Sequence, residues 1–137
     1  MTKEVLCRQV LIVEDDFLIA MMMEDIVGSC GYTVTATARD YQTALKYAEE
    51  VGIAFVDLNL SDGCTGPEIG ATLARYGVAV IFLTANPELV GDGVKGAVGV
   101  VSKPVLDPEM EDLLLFAEGH CVGVPAIRVP LSLKVFS

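Results

Sequence analysis

Positive charge is scarce in this chain: nine residues are Lys or Arg against nineteen Asp or Glu, giving a formal net charge of -10, and histidine occurs once, at His120. Nucleic-acid binding draws most of its affinity from Lys and Arg meeting phosphates, so this balance argues against DNA or RNA as a direct partner. Cysteine is scattered, at Cys7, Cys30, Cys64 and Cys121, with no CxxC pair, which argues against a zinc site. Such usage predicts reduced thiols in a cytoplasmic protein. Apolar runs are short: the one over 78–83 falls far below the roughly 20 residues a membrane helix needs, and no charged-then-apolar leader opens the chain. No membrane association is expected. Internal repeats and low-complexity linkers are missing as well.

What is present suits one compact domain. The chain has 137 residues, 53% of them hydrophobic and 20% charged, a balance that favours a packed core over disorder. Residues 10–13 form an apolar, partly β-branched run closed by Glu14, Asp15 and Asp16, as a strand buried on both faces would. Over 17–30, Ile19, Met22, Met23, Ile26 and Cys30 recur at helical spacing before Gly31. A Thr- and Val-rich alternation over 33–37 reads as a strand near a sheet edge, and Asp40 precedes a helix ending near residue 50. A buried strand over 53–57, a helix from Pro67 to about residue 76, and strands over 78–83 and 97–101 follow. Between the last two strands, Gly91, Gly93 and Gly96 leave room only for a short or mobile helix. A fifth helix over 108–118 places Leu113, Leu114 and Ala117 on its inner side. Alternating strands and helices imply parallel strands joined by right-handed crossovers. The expected fold is therefore α/β and flavodoxin-like, a doubly wound (βα)5 sheet of five parallel strands in the order 2-1-3-4-5, with ligands beyond the carboxyl ends of the strands.

The residues at those ends are Glu14, Asp15 and Asp16 after the first strand, Asp57 closing the third, Thr84 after the fourth and Lys103 after the fifth. Taken singly, each has a plain explanation: helix capping for the first acids and Thr84, turn formation for Asp57, a solvated turn for Lys103. Taken together, they put three or more carboxylates, a hydroxyl and an ammonium in one crevice. Crowded carboxylates stay ionised most cheaply around a divalent cation. Magnesium suits them, because it takes only one or two carboxylates plus phosphate oxygens and so leaves one acid to react as a nucleophile. Asp57, held by the buried run before it, is the choice for that role. Lys103 and the cation would stabilise charge on phosphoryl oxygens, and the Thr84 hydroxyl would bond one of them.

Four ordered motifs, LIVEDD (11–16), FVDLNL (55–60), FLTA (82–85) and SKP (102–104), resemble the receiver domain of bacterial two-component response regulators over about residues 9–118. The resemblance implies a stand-alone signalling module, not an enzyme on other substrates, with Glu14 and Asp15 as the acidic pair of a Mg2+ site that Mn2+ or Ca2+ could also fill. It implies Asp57 as phosphoacceptor, Asn59 as a ligand through its backbone carbonyl, Thr84 as switch hydroxyl, Lys103 as the phosphoryl-binding lysine, and a cis Lys103-Pro104 bond. The implied donor is a sensor histidine kinase or a histidine phosphotransfer protein, with an unidentified downstream protein and a homodimer left open. The exposed-facing Leu18 and Met21 are candidates for the donor contact.

The chain departs from the family in places. Val100 stands where receivers often carry an aromatic, and the loop 61–66 lacks the usual Met-Pro. With TANPE (84–88), that loop resembles an alphaproteobacterial subgroup. Residues 1–120 would be the receiver, with no room beyond it for a DNA-binding domain. In the tail 121–137, Val129, Leu131, Leu133 and Val135 alternate like a strand, so the segment is either a pairing arm or a loose end, the latter favoured. Two rival functions stay open. One is a phosphatase of the haloacid dehalogenase type, which needs an acid where this chain has Asn59; the other is an unphosphorylated pseudo-receiver scaffold.

Overall fold

The computed structural model describes residues 2–60, 65–91, 93–124 and 128–136. The loop sequence 61–64, which includes Cys64, therefore lies outside the described residues. In chain order the elements are α1 (Lys3–Leu6), β1 (Gln9–Val13), α2 (Phe17–Ser29), β2 (Thr33–Ala38), α3 (Tyr41–Leu45), β3 (Ile53–Asp57), α4 (Gly66–Arg75), β4 (Ala79–Thr84), a 3-10 turn (Pro87–Val90), β5 (Gly99–Ser102), α5 (Asp107–Val122) and β6 (Leu133–Val135).

The strands lie in the order β2-β1-β3-β4-β5-β6, the first five parallel and β6 antiparallel to β5. The five-strand parallel order is the expected one. The tail adds a sixth strand, so it is a pairing arm, correcting the favoured reading of a loose end. Periodicity could detect its alternation but not the edge that would receive it. The boundary drawn at residue 120 falls inside α5, which runs to Val122.

Local sequence accounts for the helix ends. Asp16 caps α2 by accepting from Leu18 N and Ile19 N, at 3.0 and 3.2 Å. Pro67 sits in the first turn of α4, and Gly123 terminates α5 with φ of 84°. α3 is shorter than expected: regular helix stops at Leu45 and tight turns carry the chain to residue 50. The glycine-rich stretch after β4 forms only the 3-10 turn, as its composition foretells. α1 carried no periodic signal, being a single turn capped by Thr2.

Two apolar layers flank the sheet. On one side Val10, Ile12, Ile53, Phe55 and Ile81 pack with Met23 and Val27 of α2 and Leu113, Leu114 and Ala117 of α5. On the other, Leu11, Val56, Val80 and Phe82 pack with Ile69 and Leu73 of α4 and Ala44 of α3. Strands buried on both faces explain why the central runs are continuously hydrophobic instead of alternating.

The expectation of reduced thiols is overturned for one pair. Cys7 and Cys121 form a disulfide across 114 residues of sequence, and Cys30 is the free cysteine among the described residues. The pair joins the residue that closes α1, two before β1, to the last turn of α5, two points that the fold brings to the same end of the sheet.

Candidate functional site

The carboxyl ends of β1, β3, β4 and β5 converge. Glu14 is held at the end of β1 by its own N–H, which donates to Ala38 O at 3.0 Å, and its side chain accepts from Asp16 N at 3.3 Å. Asp57 ends β3, where five consecutive buried residues fix its backbone, and its Oδ1 accepts from Asn59 N at 3.0 Å. Thr84 ends β4 fully buried, its hydroxyl oxygen accepting from Asn86 N at 3.1 Å. Lys103 follows β5; its N–H donates to Thr84 O at 2.9 Å, and its bond to Pro104 is cis, as the resemblance implies.

Side chains from three of these ends, those of β1, β3 and β5, meet. Carboxylate oxygens of Glu14, Asp15 and Asp57 lie within 4.8 Å of one another. The Lys103 ammonium donates to Glu14 Oε1 and to Asp57 Oδ2, both at 3.0 Å. Glu14 and Asp57 are 2% and 4% exposed, so these are carboxylates removed from water that share the Lys103 ammonium as counter-charge. Burial, reinforced by the neighbouring Asp57, pushes the Glu14 carboxyl up to about 7 despite the opposing pull of Lys103. Burial also acts to lower Lys103, but its two carboxylate partners outweigh it and hold the ammonium above its ordinary range. Three oxygen donors with no nitrogen or sulfur among them fit a hard cation such as Mg2+ or Ca2+, which would relieve the repulsion that raises Glu14.

Asp16 does not join this group: its carboxylate is committed to capping α2. Leu18 and Met21 lie on the exposed side of α2, at 70% and 46% exposure. Two neighbours were missed. Met22, placed by its spacing with the inner stripe, faces solvent at 63%, and Phe17, taken only as the start of the helix, is 74% exposed. Beside them an apolar depression of about 140 Å³ is lined by Ile19, Met22, Ile26, Lys103, Pro104 and Val105. Gly66 is a further residue the sequence did not flag. A Cβ there would come within 2.4 Å of Asp57 O and 2.7 Å of Leu58 Cα, so only glycine lets α4 begin against the strand that carries Asp57. Val100, at the position where an aromatic was noted as missing, is buried and pairs with Phe82 and Lys134.

The phyllosphere-induced regulator PhyR of Methylorubrum extorquens is 36% identical over 105 residues, covering 72% of this chain and 39% of that protein, so the chain spans about two-fifths of its relative's length. The solution structure of the Erythrobacter litoralis PhyR receiver domain superposes with a TM-score of 0.68 at 27% identity, covering 88% of this chain and 94% of that one. A Bartonella quintana structure described as an anti-anti-sigma factor PhyR variant gives a TM-score of 0.66 at 27% identity, covering 84% of this chain and 49% of that one. Residues 10–115 match the response regulator receiver domain, and by that match, together with the strand order and the acidic crevice, the chain belongs to the receiver family of two-component signalling.

Proposed function

We propose that this receiver takes a phosphoryl group from a phosphohistidine donor onto Asp57 in a Mg2+-dependent reaction, and signals through the altered surface that results. One observation carries the reading: the Glu14, Asp15 and Asp57 carboxylates share a space of 4.8 Å, with Lys103 3.0 Å from two of them. An Asp57 oxygen attacks phosphorus, the P–N bond to the donor imidazole breaks, and the imidazole departs with the bonding electron pair. Lys103 neutralises charge on a phosphoryl oxygen, and the Thr84 hydroxyl donates to another. Glu14, Asp15, Asp57 and the Asn59 backbone carbonyl would hold the cation, which supplies charge neutralisation on the phosphoryl group. The chain would modify only itself. A phosphatase would need an acid two residues past Asp57, and Asn59 stands there.

The donor, a histidine kinase or histidine phosphotransfer protein, would seat a helix across Leu18 and Met21, with Phe17 and Met22 widening the patch. Lys103 and Pro104 line the adjoining depression, so a helix resting there would bring its phosphohistidine to Asp57. Met21→Glu should slow transfer from the cognate donor while leaving labelling by a small acyl phosphate intact; unchanged transfer would count against this face.

The proposed location is the cytoplasm, and among the described residues no helix is long and apolar enough to cross a membrane. The phosphorylated form would act on a downstream protein or serve as a phosphate sink beside a longer PhyR-like regulator. The test is incubation with Mg2+ and acetyl phosphate followed by mass spectrometry. An adduct on Asp57 that Asp57→Ala abolishes is expected; turnover of many phosphomonoesters would support the phosphatase, and no adduct the scaffold.

A further inference from the structure

The tail strand is seated on the segment that leaves Thr84. From that residue the chain passes Asn86, whose N–H is held by the Thr84 hydroxyl, into the 3-10 turn and then Gly91 and Gly93. β6 grips this segment from the other side. Lys134 Nζ donates to Gly91 O at 3.4 Å, Phe136 N donates to Val98 O at 3.0 Å, and the Phe136 ring lies over Gly93 and 6.3 Å from the Phe82 ring.

The seat has the form of a built contact. Gly93 has φ of 108°, and a Cβ there would stand 2.6 Å from the Phe136 ring; at Gly99 a Cβ would stand 2.3 Å from Lys134 O. Glycine is thus required at both places where the tail passes. Leu133 is buried in the layer shared with α5, while Phe136 packs in the opposite layer, so the short strand reaches both faces of β5. Yet β6 is only three residues long, and Lys134 and Val135 are exposed, which puts it among the elements that open most readily.

We propose that β6 is a latch whose hold on β5 is set by the Thr84 hydroxyl, an inference that rests on the reading of Asp57 as phosphoacceptor. When Thr84 turns its hydroxyl to a phosphoryl oxygen, Asn86 loses its acceptor, and the turn it leads into shifts. Gly91 and Gly93 then withdraw the seat of Lys134 and Phe136. Release of the latch uncovers the edge of β5 and the recess beside Phe82, a surface that the unphosphorylated chain keeps covered.

Hydrogen exchange read by mass spectrometry on the full chain, with Mg2+ and beryllofluoride as phosphoryl mimic, tests this. Amides of Leu133, Val135 and Phe136 should exchange at least about tenfold faster in the presence of the mimic. Phe136→Ala should show that fast exchange without any mimic, and so should Thr84→Ala, which deprives Asn86 N–H of its acceptor in either state; a Thr84→Ala tail as protected as that of the wild type without mimic would overturn the latch. Adduct formation at Asp57 is followed separately with acetyl phosphate. An adduct together with unchanged tail protection overturns the latch and spares the phosphoacceptor; the absence of any adduct overturns both.

Discussion

The two ends of the β-sheet are built on opposite terms. At the carboxyl ends, buried Glu14 and Asp57 share one lysine, and Glu14 holds its proton up to about 7. At the amino ends, every strong group is matched. Arg8 reaches both oxygens of Glu118 at 3.1 and 3.0 Å, stacks 4.2 Å over the Tyr32 ring and donates to Gly31 O, while the Tyr32 hydroxyl donates to Glu118 at 2.5 Å. The Cys7–Cys121 disulfide ties the same end. Burial and the bond to Glu118 both favour a neutral Tyr32 phenol, so its proton is held well above its ordinary range. One end keeps a reactive arrangement that strains against itself; the other holds the chain while it does so. Changes at the amino end should therefore cost stability and leave chemistry alone, and changes at the carboxyl end should do the reverse.

The largest effect should come from the disulfide. Cys121→Ser, or reduction of the native protein, is expected to lower stability by roughly 2–4 kcal/mol, because a very long loop is closed by the bond. That corresponds to a fall in melting temperature on the order of 10 °C by calorimetry, with Asp57 labelling retained. A melting curve insensitive to reductant would remove the disulfide from this contrast. Glu118→Ala comes next, at about 1–3 kcal/mol in chemical denaturation, since it strips Arg8 and the Tyr32 hydroxyl of a shared partner in a partly exposed setting.

Asp57→Asn should abolish labelling altogether while changing stability by less than about 1 kcal/mol, and in the stabilising direction when measured with chelator, because it removes a like charge from beside Glu14. A large loss of stability would show that Lys103 needs both acids. The smallest effect is on pH dependence. Glu14 titrates at about 7 in the folded protein against 4.5 for the ordinary carboxyl, so the native state binds the proton more tightly than the unfolded chain. That contribution is complete below the unfolded value and is lost as pH rises through about 7. In chelator the wild type should lose stability across this window more steeply than Glu14→Gln; parallel profiles would refute the assignment, and excess Mg2+ should flatten the difference.

Much of the carboxyl end was legible in the sequence, for a physical reason. Strands buried on both faces read as unbroken apolar runs, and the first polar residue after each run lies at the sheet end, where parallel topology gathers Glu14, Asp57, Thr84 and Lys103 together. The amino end carries no such mark. Cys7 and Cys121 are distant in sequence and unremarkable in spacing, and their approach depends on where α5 stops, a boundary that the helical pattern placed too early. Arg8, Tyr32 and Glu118 look singly like surface residues, and only packing of α5 beside the start of β1 makes them neighbours. Met22 misled for a related reason. A helix whose outer face is also apolar gives a periodicity too broad to separate covered from uncovered positions.

The disulfide also rests on something missing. Gly52, the residue that leads into β3, contributes no side chain; a methyl group in its place would press within 2.6 Å of Cys7 Cα and 2.8 Å of Cys121 Sγ. The two sulfurs meet in a hollow that any larger residue would fill. Replacing Gly52 with alanine should thus be felt first as a displaced amino terminus and an unmade crosslink, far from the substituted position along the chain and with neither cysteine altered.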